Sequence, residues 1–447
     1  MAVVFESTNR RAPRVSFGEA LLRGQAPDLG LYWPVEVPAL DAGEREGFRK
    51  KEYHEIAHSI AMKYVEGEVP SDEMARIARE AYDFDAPLEK AYEDCYVMRL
   101  DRGPTASFKD FAARMMARLM GYFLRQEGRG VTILTATSGD TGSAVANAFH
   151  GMENIKVVVL FPKAEVTERQ RRQMTTLGGN VSTIALDGKF DDCQALVKRA
   201  FADGDLKDLN LSSANSINFG RLMPQSVYYF FAHSRLCRLD DEIVFSVPSG
   251  NFGDLMGGML AKRMGLPVSR FIAATNENDE FPRFMQTGRY EPIRPSKACI
   301  SNAMNVGHPS NLARLFHLFG GWLDECGTVK EEPDRDSMRA AVWSMSVSDE
   351  QTREAIRGAY ARYELVLEPH GAVGWYALQE YLKTGDRIPK TSVCLETADP
   401  AKFPDEIVSA LGFEPKMPKC LRGLENLPEN VVSMGNDYGR LKAYLNS

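Results

Sequence analysis

Several short segments place reactive or anion-binding groups where one structural element gives way to the next. The first is Pro104-Thr-Ala-Ser107-Phe-Lys109-Asp-Phe, which opens a stretch with apolar residues at 108, 111, 112, 115 and 119 and a lysine beside that stripe. A lysine so placed is either a solvated surface charge or, once desolvated, an amine that gives up its proton and acts as nucleophile or base. Ser107 is placed to cap the helix, which puts Lys109 in its first turn, at the positive end of the helix dipole. The second segment, Thr135-Ala-Thr-Ser138-Gly139-Asp140-Thr141-Gly142, follows an apolar run. It reads either as an ordinary strand-to-helix turn capped by Ser or Asp, or as a site where small residues let backbone amides approach a carboxylate. The third, Val247-Pro-Ser249-Gly250-Asn251-Phe252-Gly253-Asp254, has two glycines that free the backbone to wrap a phosphate without a side-chain cation. Asn215-Ser216-Ile-Asn218-Phe-Gly-Arg221 gathers amides, a hydroxyl and a guanidinium: a helix cap with a surface arginine, or a second anion site. Finally, Leu395-Glu-Thr397-Ala-Asp-Pro presents a hydroxyl at the end of a short apolar run.

Other chemistry finds less support. His54-Glu55-Ile-Ala-His58 matches the zinc pattern H-E-x-x-H, but the next histidine, His150, has no metal-like context. An amphipathic helix is the simpler reading, and no metal site is expected. No G-x-x-x-x-G-K-[ST] occurs, and no strand opens into G-x-G-x-x-G, which removes most nucleotide-binding classes.

The elements that must carry these residues follow from periodicity. Up to about residue 95 the chain reads as Pro-rich connections and charged helices, near Glu44–Glu66 and Asp72–Tyr82, with Ser71 as a cap. Beyond it strands and helices alternate. Strands are expected at Val131–Ala136, Val157–Phe161, Val181–Leu186, Ile243–Val247 and Phe271–Ala274. Helices are expected from Ser107 to near Gly128, from about Ser143, around Arg169–Thr176, from Asp191, and over Leu255–Met264. This order makes α/β layers of parallel strands, whose ligand sites lie at the carboxyl ends of the strands. The last stretch, from about Gly412, has a weaker pattern.

At 447 residues the chain is long enough for two to four domains at roughly 100–200 residues each. Its folded surface should be ~17,000 Å². The net charge of −7 argues against nucleic acid and anionic membranes as partners. No apolar run is long enough to span a bilayer, and seven widely spaced cysteines suggest a reducing cytoplasm rather than a disulfide framework.

Taken in order, Gly-Pro-Thr-Ala-Ser-Phe-Lys109-Asp-Phe, Thr-Ala-Thr-Ser-Gly-Asp-Thr-Gly, Ser-Ala-Asn-Ser-Ile-Asn, Val-Pro-Ser-Gly-Asn-Phe-Gly-Asp and Glu-Thr-Ala-Asp-Pro-Ala-Lys-Phe resemble the threonine synthase family. That family belongs to the tryptophan-synthase-like enzymes that use pyridoxal 5'-phosphate (PLP), and the long bacterial and fungal branch fits best. The resemblance runs from Val15-Ser-Phe-Gly-Glu-Ala to Lys402-Phe-Pro404. It implies a two-lobed, parallel-sheet PLP fold of type II, like the tryptophan synthase β chain, with a mostly helical N-terminal domain. The implied division is 1–95; 96–125 with 230–411 as the large PLP-binding domain; 126–229 as a small mobile domain; and 412–447 as an extension.

The resemblance also implies the reaction, O-phospho-L-homoserine and water giving L-threonine and phosphate by γ-elimination and β-addition of water. A related phospho-lyase or hydroxy-amino-acid dehydratase is the alternative. Lys109 is implied as the Schiff-base lysine that then moves protons on the substrate. Ser249, Gly250, Asn251, Phe252, Gly253 and Asp254 are implied around the cofactor phosphate, and Thr397 at its ring nitrogen, which a hydroxyl partner should leave neutral. Ser138, Gly139, Asp140 and Thr141 are implied beside the substrate carboxylate and the cofactor oxygen. Asn215, Ser216, Asn218 and Arg221, with Lys163, are implied for the substrate phosphate. The partner of Asp140 and the choice between monomer and homodimer stay open.

Overall fold

The apolar runs form two sheets whose carboxyl ends converge. The computed structural model describes residues 2–386 and 388–447. Strands β1 (Phe5–Ser7) and β2 (Tyr32–Pro34) pair antiparallel near the N-terminus. Along the chain follow β3 (Leu88–Tyr92), β4 (Cys95–Arg99), β5 (Val131–Ala136), β6 (Ile155–Pro162), β7 (Val181–Asp187), β8 (Leu211–Ser212), β9 (Ile243–Pro248) and β10 (Val268–Thr275). A small ribbon, β11 (Trp322–Leu323) with β12 (Val329–Glu331), precedes β13 (Val342–Ser346), β14 (Thr391–Glu396) and β15 (Val431–Gly435). The larger sheet has the order β13-β10-β9-β14-β4-β3, parallel except for the β3–β4 hairpin. The smaller is parallel throughout, in the order β15-β7-β6-β5-β8.

Every residue of β5, β9 and β14 is buried, as expected of parallel strands covered by helices on both faces. The accessible surface, 17457 Å², matches that expected for a compact chain of this mass. The expected strand at 131–136 is reproduced; those at 157–161, 181–186, 243–247 and 271–274 lengthen by one to four residues.

Helix starts differ more. The long N-terminal helix divides into Ala42–Gly47 and Tyr53–Val65, because Glu55 accepts from the Glu52 amide and starts the second helix afresh. Ser71 is the first residue of its helix rather than the cap, which is Pro70; its hydroxyl instead meets His58 Nε2 at 3.1 Å. The helix expected from Ser143 begins at Asp140. Ser107 does not cap either: Phe108 takes that position, Lys109 is the first residue of the helix Lys109–Glu127, and the Ser107 hydroxyl has no partner among the described residues.

Residues 2–82 buttress this body. Phe5, Phe17 and Tyr64 surround Phe219, with ring centroids 4.7, 6.5 and 5.6 Å away. Beyond Gly412 the chain is well structured: β15 extends the small sheet beside β7, and the helix Tyr438–Leu445 packs its buried Leu441 and Leu445 into that lobe. Among the described residues no helix is long and apolar enough to cross a membrane. All seven cysteines are unpaired.

Candidate active site

Lys109 stands at the start of its helix because Phe108 N donates to Thr397 O (2.9 Å) and Asp399 N to Ala106 O (3.0 Å), tying this turn to the end of β14. Ala106 takes a left-handed φ of 53° to make that turn. The lysine side chain keeps 13% of its exposure, enough to be reached by a small molecule, and its Nζ lies 3.7 Å from Asp140 Oδ2. Burial lowers its pKa; Asp140 opposes that shift, while Lys402 and Arg221 add to it.

Asp140 begins the helix after β5, next to Gly139, whose φ of 133° only glycine adopts readily. Its carboxylate accepts from fully buried Lys402 Nζ at 2.6 Å and from Gln170 Nε2 at 2.9 Å. Burial by itself raises its pKa, but Lys402 and then Lys109 overcome that and hold it well below the usual carboxylate range. Lys402 Nζ also donates to Thr105 O at 3.0 Å. The partner left open for Asp140 is therefore a pair of lysines. Beside it, Thr137 Oγ1 accepts from Gly139 N and Gly142 N, while the hydroxyls of Ser138 and Thr141 bond no other described residue.

After β9, Ser249 N is taken up by Ala274 O at 2.7 Å, but the next three amides, at Gly250, Asn251 and Phe252, donate to no acceptor among the described residues. Phe252 has φ 59°, and the helix Gly253–Arg263 starts immediately after it. Consecutive free amides leading through a left-handed residue into a helix make an anion-binding concavity. The Asn251 side chain fixes the loop by donating to Ser216 Oγ (2.8 Å) and accepting from Ser310 N (2.6 Å). Asp254 accepts at Oδ1 from Tyr228, at short range, and from Tyr229 at 2.7 Å, and its Oδ2 has no partner among the described residues. Burial raises its pKa to about 6 despite those donors.

The segment after β8 splits in two. Arg221 is buried, donates through one terminal nitrogen to Ala214 O (2.6 Å), and has neither a bonded Nε nor an ion-pair partner among the described residues. Burial lowers its pKa to about 10. Asn215 Oδ1 accepts from Thr135 Oγ1 at 2.5 Å, and Ser216 Oγ accepts from Asn251 and Asn311. Asn218, by contrast, has no donor left for a ligand. Its amide gives both hydrogens to Leu21 O and Ser213 O, and its oxygen caps Gly220 N. Lys163 is exposed just past β6, and its side chain contacts none of these groups.

At the end of β14, Thr397 Oγ1 donates to Glu368 Oε1 at 3.2 Å. Glu368 caps the helix Pro369–Lys383 and is fully buried. It also accepts from Gly371 N (2.8 Å), His370 N (2.8 Å) and His370 Nδ1 (2.5 Å). Because His370 Nε2 accepts from Ala303 N at 3.1 Å, its proton sits on Nδ1.

Lys402, Gln170, Glu368 and His370 escaped the reading of the sequence, as did Arg314. That arginine is wholly buried and donates to Tyr32 O, Ser216 O, Ile217 O and Asn311 Oδ1, so it pins β2 against the Arg221 segment. Only Lys402 carried a signal, as the lysine of Asp-Pro-Ala-Lys-Phe.

Known proteins bear on this geometry. The family model described as pyridoxal-phosphate dependent enzyme matches residues 82–397, that for the threonine synthase N terminus residues 4–82, and that for the threonine synthase C-terminal region residues 371–445. Threonine synthase of Serratia marcescens is 40% identical over 440 residues, covering 97% of this chain and 96% of that one. The crystal structure of PLP-bound threonine synthase from Brucella melitensis superposes with a TM-score of 0.91 at 36% identity, covering 99% of both chains. That from Escherichia coli gives 0.89 at 38%, again covering 99% of both.

Proposed function

The chain belongs to the threonine synthase family of PLP-dependent enzymes, and on that premise we propose that it converts O-phospho-L-homoserine and water into L-threonine and phosphate, with Lys109 handling the protons. One observation carries the reading. A buried amine of lowered proton affinity stands among two separate anion receptors, the free amides of 250–252 and the Arg221 guanidinium. A phosphorylated cofactor and a phosphorylated substrate require one receptor each.

The residues present fit PLP. Lys109 offers the amine for a Schiff base, residues Ser249 to Asp254 a cradle for the phosphate, and Thr397 a hydroxyl at the ring nitrogen. When bound, the cofactor supplies an electron sink for charge developing beside the substrate amine.

The chain's own groups do the rest. Lys109, its proton affinity lowered by burial, takes and returns protons on the substrate carbons. Asp140, fixed by Lys402 and Gln170, orients the lysine between turnovers. The open hydroxyls of Ser138 and Thr141, with the Gly139 turn, receive the substrate carboxylate. Arg221, with Asn215 and Ser216, binds the substrate phosphate and stabilises its growing charge as it leaves. Asn218 shapes that receptor by capping its helix, and Lys163 adds a cation from the rim. Water must be kept out until the addition step, which closure of residues 126–229 over the larger lobe achieves.

We keep the division into 1–95, 96–125 with 230–411, 126–229 and 412–447. The first part lends β3 to the large sheet and the last lends β15 to the small one. The unpaired cysteines fit a reducing cytoplasm.

The test is to incubate the protein with PLP and O-phospho-L-homoserine and analyse products. Threonine and phosphate in equal amounts are expected. 2-Oxobutyrate as the main product would assign the chain to the phospho-lyase or dehydratase chemistry instead.

A further inference from the structure

Two arginines are buried against one short turn, residues 214–217, and neither has an ion-pair partner among the described residues. Arg221 has been described. Arg314, on the helix Leu312–Leu318, is 0% exposed, and burial alone pushes its pKa down to about 9. A buried guanidinium without a counter-charge is costly, and carbonyl dipoles offset that cost only in part. A nearby anion offsets more of it.

The bonds of Arg314 show what it does to the turn. One terminal nitrogen donates to Ser216 O at 2.9 Å and the other to Ile217 O at 2.6 Å. The C=O and N–H of a trans peptide point to opposite sides, so the bond to Ser216 O turns the Ile217 amide away from the arginine. Neither the Ser216 amide nor the Ile217 amide has an acceptor among the described residues.

The Ser216 hydroxyl is set at one remove. Arg314 also donates to Asn311 Oδ1 at 2.6 Å, which leaves the Asn311 amide nitrogen to donate to Ser216 Oγ at 3.2 Å. Asn251 is fixed in the same sense: its Oδ1 accepts from Ser310 N, and its Nδ2 donates to Ser216 Oγ at 2.8 Å. Two donors fill both acceptor positions of a hydroxyl, so the Ser216 hydrogen must go elsewhere. No acceptor among the described residues takes it. Bonds in such a chain polarise one another, which strengthens the outermost donor.

We infer that Arg314 builds the receptor for the substrate phosphate without touching it, by presenting the Ile217 amide and, through Asn311, the Ser216 hydroxyl, and by adding an unpaired positive charge to that of Arg221. This rests on the reading above that Arg221, Asn215 and Ser216 receive that phosphate. Ile217 thereby becomes a binding residue through its backbone. Arg314 is a positioning residue, because its Nε is also spent on Tyr32 O at 3.0 Å, which holds it to β2. The gain is a receptor for a growing negative charge whose added donors, an amide and a hydroxyl, do not titrate.

The experiment titrates the PLP-loaded full chain by calorimetry with inorganic phosphate and, separately, with L-threonine, whose carboxylate is read as binding beside Gly139. Arg314→Met should weaken phosphate binding about tenfold and L-threonine binding by no more than about twofold. Asn311→Ala, which leaves the guanidinium in place, should weaken phosphate about threefold and decides the matter if the methionine variant does not fold. Unchanged phosphate affinity in the variant that folds overturns the inference. So does an equal loss for both ligands, since Arg314 would then be a strut for the whole cleft. Arg221→Ala tests the reading beneath: if native and Arg221→Ala proteins bind phosphate equally, the assignment of the receptor falls, and the inference with it.

Discussion

The turn after β5 and the turn after β9 occupy matching places, each between a central parallel strand and a helix, yet they hold charge in opposite ways. The first closes on Asp140, an anion kept ionised by Lys402 and Lys109. The second offers free backbone amides, and its one carboxylate, Asp254, meets only tyrosine hydroxyls and has its pKa pushed up to about 6. A turn organised by paired side-chain charges can steer protons. A turn organised by amides can hold a phosphate without adding a titrating cation. Catalysis and cofactor retention should therefore be separable by mutation.

The largest effect should come from the proton-steering side. Lys109→Ala should reduce turnover by about 10⁴-fold or more while PLP still binds without covalent attachment; near-normal product formation would remove the basis of the comparison. Lys402→Met should destabilise the fold by about 3–5 kcal/mol in urea denaturation, because Asp140 is left buried beside a lysine that is itself poorly placed to replace it. Adding Asp140→Asn should recover much of that loss, since both charges then leave together.

The two carboxylates also predict opposite pH slopes. The pKa of Asp140 is lowered in the fold, so its contribution is present above the ordinary aspartate range and is lost as the pH falls through the folded value. That of Asp254 is raised, so its contribution is present below about 3.8 and is lost as the pH rises through about 6. Asp254→Asn should flatten that second loss by up to about 3 kcal/mol, measured as urea stability at pH 4 against pH 7. An unchanged slope would mean that the tyrosine hydroxyls fully compensate the buried charge.

The smallest effect tests the amide turn directly. A Cβ at Gly250 would sit 2.8 Å from Met304 Cα, and backbone does not yield cheaply. Gly250→Ala should weaken PLP binding roughly tenfold by fluorescence titration, equivalent to about 1.4 kcal/mol. Single-turnover rates at saturating cofactor should change little. A fall in both would join the two turns into one device.

What the sequence revealed follows the range of the interactions. Strand β5 and the Lys109 helix were readable because apolar spacing and Gly128 are local features. The Gly-rich turns were readable because backbone freedom is written in glycines. Lys402 stood out only as part of the Asp-Pro-Ala-Lys-Phe segment, and its ion pair was not readable, because its partners lie far along the chain: Thr105 is 297 positions away. Glu368 was hidden for a similar reason, since Thr397 lies 29 positions from it. Ser107 misled because a serine before a helix usually caps it, whereas here the Phe108 amide donates to Thr397 O at the end of β14 and the Asp110 amide to the Ser107 carbonyl.

Strand β15 carries a consequence for the timing of assembly. The small sheet is built from β5 to β8, yet its outer strand comes from residues 431–435, and Glu429 reaches back 258 positions to Arg171 at 2.7 Å. During synthesis β7 is exposed as a bare edge while β9, β10, β13 and β14 of the larger sheet are still being made, and such edges invite pairing with other chains. The enzyme thus acquires its finished small lobe only once residues 431–445 have left the ribosome. A nascent chain stalled before Asn430 would hold every residue of the proposed chemistry, while β7, which neighbours the strand that leads to Lys163, would still lack its outer partner.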